Sequence, residues 1–235
     1  MNAYVINLEE RSDRWKQVVA QQRKLGFEIY RVPAINKNEV TGESSRYLET
    51  TITAIWLSHI KAIRLFLETQ EAFCIILEDD FLLMRSYFSL AILPAVDQKF
   101  DFLQIGFLKM GVKEHIEILY YNFRDRLFKF FYVLSQMVPS FCKNLLLSKY
   151  LVREQKDIHE SIVLTDIRPG AHCYLISRKF AQAMLEINNP AFLSTDLLYM
   201  SLGAIRTFKM GRLRRSLVNQ SDSASSVKNR FKSKH

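Results

Sequence analysis

The chain alternates short apolar runs with amphipathic stretches, and the period of each run identifies the element it predicts. "AYVINL" reads as a strand. "SDRWKQVVAQQRKLG" sets Trp15, Val18, Val19, Gln22 and Leu25 at helical spacing, with Ser12 as the expected N-cap and Gly26 as the stop. "FEIYRVPAI" alternates Phe27, Ile29 and Arg31 with Glu28, Tyr30 and Val32 in strand fashion, and "NKNEVTGESS" reads as a loop. "TTITAIWLSHIKAIRLFLET" is the clearest amphipathic helix, with Ile52, Ile55, Trp56, His59, Ile63, Phe66 and Leu67 along one face and Lys61, Arg64 and Glu68 turned away. "FCIILEDDF" follows as a strand tipped by Glu78, Asp79 and Asp80, then a short helix up to Pro94, then the strand "FDFLQIG" closed by Gly106.

The order β-α-β-α-β-α-β predicts an α/β fold, a mainly parallel sheet flanked by helices, with ligands bound outside the carboxyl ends of the strands. After Lys113 the pattern dissolves into aromatic and basic sequence, read as a helical insertion at about 113–166. "AHCYLIS" and "RKFAQAMLEI" then restore a strand and a helix, and residues from about 211 to 235 read as a basic tail. One domain spanning 1–235 is expected, because 235 residues that are 49% hydrophobic suffice for a single core.

Charge changes the picture little. The net charge is +9, and from Arg206 onward nine Lys and Arg face one Asp. No stacking aromatics interleave "RLRRS", so nucleic acid is not an expected partner. "FRDRLFKFFYVLSQMV", with Arg124, Arg126 and Lys129, suits either an anionic membrane interface or a helical subdomain packed on the sheet. Cys74, Cys142 and Cys173 match neither a disulfide framework nor a zinc pattern, which fits a reducing compartment. With no basic-then-apolar leader and no apolar run of ~18 residues, a cytoplasmic location is expected, peripheral at the inner face of the membrane. The lack of G-x-G-x-x-G and P-loop sequences weighs against dehydrogenase and kinase readings.

The candidate chemistry lies in the three adjacent carboxylates, which repel one another unless a cation or hydrogen-bond donors compensate. Two-residue spacing puts Glu78 and Asp80 on one side of an extended segment, where both would face a hard cation, Mg²⁺ or Mn²⁺. Such an ion completes its shell with water and a substrate's phosphate oxygens. The alternative is a solvated strand end that is salt-bridged to basic residues.

"VINLEERSDRW", "LSHIKAI", "ILEDD", "FDFLQIG", "GAHCYLISRKFAQAML" and "STDLLYMSL", in this order, resemble glycosyltransferase family 25 over about residues 2–112 and 167–226. "GAH" stands where the family usually has G-T-H, and "STD" where Pro-Val-Asp is common. The resemblance implies a GT-A type, typically inverting transferase that moves galactose from UDP-galactose to a lipooligosaccharide or lipopolysaccharide sugar. It implies Mn²⁺ or Mg²⁺ on Glu78 and Asp80, with His172 as a further ligand or phosphate contact. Asp196 is the first candidate for the general base, or else a helix cap; Asp79 is the second, or else a partner of the donor sugar's hydroxyls. Asn7, Leu8, Arg11 and Arg14 stand where the nucleotide would lie, joined by Asp79 and His59, although His59 equally reads as a half-buried residue that orients a carboxylate. Arg214, Arg215 or Lys228 would reach back to the diphosphate. The same acids would serve a nucleotidyltransferase or phosphohydrolase, and the scaffold would also suit a non-catalytic membrane or partner-binding protein.

Overall fold

Strand parity organises the molecule. In β1 (Asn2–Asn7), Ala3 and Val5 face one apolar cluster and Tyr4 and Ile6 face another, so the sheet is buried on both sides. The computed structural model describes residues 1–42, 47–84, 92, 95–97, 99–108, 162–164, 166–206 and 208–221. Its elements follow the expected alternation: α1 (Ser12–Leu25), β2 (Ile29–Pro33), a 3₁₀ turn (Lys37–Glu39), α2 (Thr50–Leu67), β3 (Phe73–Glu78), β4 (Phe81–Leu83) and β5 (Phe102–Gly106). Then come β6 (Ile162–Leu164), β7 (Cys173–Ser177), α3 (Arg178–Glu186), α4 (Thr195–Ile205), β8 (Met210–Leu213) and β9 (Val218–Gln220).

Among the described residues the sheet has nine strands in the order β2-β1-β3-β7-β5-β8-β6, and β9 bridges β5 and β4. β1, β2, β3, β5, β8 and β9 run one way, and β4, β6 and β7 run the other. The α/β fold with a mainly parallel sheet is thus present, with β7 inserted antiparallel between β3 and β5. On one face α2, α3 and α4 contribute Trp56, Ile63, Phe66, Phe180, Tyr199 and Leu202 against Tyr4, Ile76, Tyr174 and Ile176. On the other, α1 contributes Val18 and Leu25 against Val5, Ile75, Leu77 and Ile105.

Several expectations are corrected. Ser12 does not cap α1; it is the first helical residue, and Arg11 occupies the cap position without a side-chain hydrogen bond. The segment expected to open the tail is sheet instead. Met210, Gly211 and Leu213 are buried in β8, and Arg212, 6% exposed, is neutralised by Asp166 at 2.9 Å from its Nε. Likewise Ile162–Leu164, assigned to the insertion by pattern, pairs with β8. The rest of that insertion, including Arg124, Arg126 and Lys129, the tail from Asp222 with Lys228, and most of the helix expected before Pro94 lie outside the described residues. Among the described residues no helix is long and apolar enough to cross a membrane.

Arg178 joins the layers. Its guanidinium donates to the carbonyls of Leu67 and Glu71 at 3.1 Å each and to that of Thr69, and it lies over the Phe66 ring, so a cation closes the C-terminal end of α2. Arg178→Met should lower the unfolding free energy by about 2–3 kcal/mol, because it leaves these carbonyls without their charged donor. A urea titration checks this, the midpoint falling with an unchanged slope.

Candidate functional site

Alternation carried to the strand ends decides which acid goes where. Cys74 and Ile76 face α2, so Glu78 does too; Ile75 and Leu77 face α1, so Asp79 does. Glu78 Oε1 accordingly lies 3.4 Å from His59 Nε2 on α2. Asp79 instead accepts hydrogen bonds from Asn7 Nδ2 at 2.6 Å and from Arg14 at 2.7 Å. Asn7 is held in turn by Arg31, whose Nε donates to Asn7 Oδ1 at 2.9 Å and whose guanidinium lies 5.2 Å from the Trp15 ring. Asp79 and Asn7 thus form a buried anchor between β1, β3 and α1.

Asp80 lies past the strand, yet close enough to Glu78 for the two charges to repel. β3 ends at Glu78 and the chain turns at Asp79 and Asp80, so the two-residue period no longer governs Asp80. Its Oδ2 lies 3.9 Å from Arg14, and its Oδ1 is buried without a hydrogen-bond partner. Burial, with Glu78 and then Asp79 adding repulsion against the pull of Arg14, pushes the Asp80 carboxyl up to about 7. For Glu78 burial also acts upward, but the His59 hydrogen bond and the nearby His59, His172 and Arg14 outweigh it and hold the carboxyl below its usual range.

His172 stands directly across the β3/β7 ladder from Glu78, whose backbone N–H donates to the His172 carbonyl at 3.0 Å. The ring is 1% exposed and lies between two glycines. A Cβ on Gly106 would come within 2.6 Å of its Nε2, and one on Gly170, where φ is 102°, within 3.0 Å of its Nδ1. Burial pushes the ring below the usual histidine range, Glu78 opposing; Nε2 lies 3.4 Å from the Val218 carbonyl and Nδ1 has no partner.

Asp196 is not the cap of α4. Ser194 holds that position, and Asp196 lies half-buried in the first turn. Burial and then Glu78 push its carboxyl up to about 6, against hydrogen bonds from the Gly170 and Ala171 backbone and the proximity of His59. Ser58, beside His59, accepts from Ile35 N at 2.9 Å and fixes the exit of β2 to α2. At the first strand end the two arginines part: Arg14 turns inward to Asp79, while Arg11 pairs with Asp13 at 2.9 Å on the surface. Leu8 is half-buried and its carbonyl accepts from Arg11 N at 3.0 Å; Arg214 and Arg215 are exposed between β8 and β9.

The structure therefore gathers Glu78, His59, His172 and Asp196 on the α2 side of β3, and Asn7, Arg14 and Asp79 on the α1 side, with Asp80 at the turn. Both ring nitrogens of His59 are engaged by protein, Nδ1 with the Tyr174 hydroxyl at 2.7 Å, which gives it the positioning role rather than a donor contact. The backbone donors of Gly170 and Ala171 escaped the sequence reading, although the glycine in "PGAH" was their available signal. Among the described residues no group of three or more His, Cys, Asp and Glu is arranged to hold a metal, so His172 does not complete a closed set with Glu78 and Asp80. Asp80 Oδ1 is a buried carboxylate oxygen with no hydrogen-bond partner, close to Glu78, and Mg²⁺-type ions are held by one or two carboxylates with substrate oxygens. The residues present fit such an ion.

A family model described as "Glycosyltransferase family 25 (LPS biosynthesis protein)" matches residues 1–199, and the chain belongs to that family. The structure is similar to the crystal structure of A197 from STIV, at 13% identity and a TM-score of 0.45, over 93% of this chain and 83% of that chain. A search of curated proteins found no match. The chain is a glycosyltransferase, as the "LSH" and "ILEDD" stretches imply.

Asp196 gives a prediction about how stability depends on pH. Its carboxyl, raised from 3.8 to about 6, favours folding when protonated, so this contribution is full below the unfolded value and is lost as pH rises through about 6. Asp196→Asn should therefore be more stable than wild type at pH 8, by at most about 3 kcal/mol, and equal to it near pH 3. Chemical denaturation at the two pH values measures the difference.

Proposed function

We propose that this glycosyltransferase takes a nucleoside-diphosphate sugar, with UDP-galactose as the first donor to test, and passes the sugar with inversion to a hydroxyl of a lipooligosaccharide or lipopolysaccharide glycan. The observation that carries the reading is the contrast among acids brought together at the carboxyl end of β3: Glu78 held ionised, Asp196 on the first turn of α4 poised near neutrality, and Asp80 with one buried oxygen that has no hydrogen-bond partner. Environments that push such groups apart assign acid–base roles. The GT-A type is what the family resemblance implies, and the α/β sheet with acids at its strand ends is compatible with it.

Asp196 is the general base. It takes the proton of the acceptor hydroxyl as that oxygen attacks the anomeric carbon and the bond to the diphosphate oxygen breaks, releasing the nucleoside diphosphate. The nearby Gly170 and Ala171 backbone favours its ionised form, the form that can accept the proton. Glu78 and Asp80 hold Mn²⁺ or Mg²⁺, which when bound supplies Lewis-acid stabilisation of the leaving diphosphate. Asp79, clamped by Asn7 and Arg14, fixes the turn that presents Asp80. A glycolipid acceptor places the reaction at a membrane surface, to which the basic and aromatic "FRDRLFKFFYVLSQMV" is suited.

The full chain with Mn²⁺ should be stabilised selectively by a UDP-sugar, its Tm rising by about 5–10 °C at a hundredfold excess over Kd. Asp80→Asn should abolish the shift. Product analysis should show an inverted anomeric centre; incorporation of labelled water into phosphate, or indifference to every donor, would count against the reading.

A further inference from the structure

Four side chains distant in sequence form one continuous polar chain beneath the site. Glu78 Oε1 lies 3.4 Å from His59 Nε2, His59 Nδ1 lies 2.7 Å from the Tyr174 hydroxyl, and the Tyr199 hydroxyl donates to the Tyr174 oxygen at 3.1 Å. His59, Tyr174 and Tyr199 are each at most 1% exposed, so bulk water offers them no substitute partner. Ring contacts hold the same groups: His59 stacks on Tyr174 at 5.7 Å and 26°, and Tyr199 meets Tyr174 edge-on at 5.2 Å.

Donor counting fixes the protons. Tyr199 gives its proton to the Tyr174 oxygen, which leaves the Tyr174 proton to be placed, and the acceptor in reach is His59 Nδ1. With Nδ1 accepting, the ring proton sits on Nε2, where it faces the Glu78 carboxylate. Every O–H and N–H of the chain then has an acceptor, as buried polar groups require. The opposite tautomer would set the Tyr174 and His59 protons against each other and turn a lone pair toward Glu78.

The chain also connects elements. Tyr199 lies on α4 one turn after Asp196, Tyr174 on β7, His59 on α2 and Glu78 at the end of β3. We propose that Tyr174 and Tyr199 are positioning residues that lock His59 as the Nε2–H donor to Glu78 and tie the helix bearing Asp196 to the strand end bearing Glu78. The part concerning the cation rests on the proposed function; the tautomer does not.

Two readouts test it on the full chain, with Tyr→Phe exchanges that keep the rings and remove only the hydroxyls. In ¹⁵N-edited NMR of the imidazoles, wild-type His59 should carry its proton on Nε2, and Tyr174→Phe should disturb that assignment. In titrations with Mn²⁺ alone, Tyr174→Phe should bind about tenfold more weakly, as loss of a partner behind a ligand does, with a smaller loss for Tyr199→Phe. His59→Gln, whose amide N–H takes the place of Nε2–H, should retain more Mn²⁺ affinity than His59→Leu. A proton on Nδ1 in the wild type, or a tautomer unchanged by Tyr174→Phe, would overturn the proposal. If Tyr174→Phe does not fold, the wild-type tautomer and Tyr199→Phe decide; if the wild type binds no Mn²⁺, the cation reading fails and the tautomer alone decides the relay.

Discussion

The structure depends on keeping three consecutive carboxylates apart at the end of a buried strand. Each is sent in a different direction. Glu78 follows the strand's parity to His59, Asp79 follows it to Asn7 and Arg14, and Asp80, beyond the strand, meets Arg14 only at 3.9 Å. Two of the three charges are thus settled within the protein, and burial together with the residual repulsion raises the third carboxyl to about 7. Burial and that repulsion together favour the protonated form of Asp80, so the carboxyl most exposed to the conflict is also the one whose charge responds to its surroundings near neutral pH.

The same partition separates rigidity from chemistry. On the α1 side, Arg31, Asn7, Asp79 and Arg14 form a closed set of hydrogen bonds across β1, β2, β3 and α1. A group so fully engaged has little capacity left to move a proton, which fits Asp79 to anchoring better than to base catalysis. On the α2 side, Glu78, His59 and Asp196 feel one another's charge, and there the carboxyl values are spread apart.

How much of this was legible in the sequence follows the range of the interactions. The helices and strands through Gly106 show in local periodicity, and so does the acid-tipped strand, because each is written in side chains a few positions apart. The partners of Asp79 lie 72 and 65 residues away, and no local pattern names them. β8 was hidden by Arg212, a charge that makes "MGRL" look like tail until Asp166 supplies its counter-ion. Tyr174 and Tyr199 sit in apolar runs and read as core, which they also are; only the juxtaposition of β7, α2 and α4 shows that their hydroxyls meet. Spacing alone could not settle how Asp80 stands to Glu78, because it specifies a side only while the strand continues, and β3 stops at Glu78.

The largest departure from the expected topology is also what builds half of the site. Had β7 run parallel to β3, its start would lie at the opposite edge of the sheet from the carboxyl ends of β1, β3 and β5. Running antiparallel, it brings Gly170, Ala171 and His172 to those ends, opposite Glu78. The consequences follow in order. His172 closes against Gly106, the last residue of β5, where any Cβ would collide with it. The Gly170 and Ala171 backbone just before it then offsets part of the effect of burial on the Asp196 carboxyl. Asp196, carried by a helix late in the chain, is therefore brought near Glu78, at the end of an early strand, through a strand of opposite sense, an arrangement that strand–helix alternation alone does not specify.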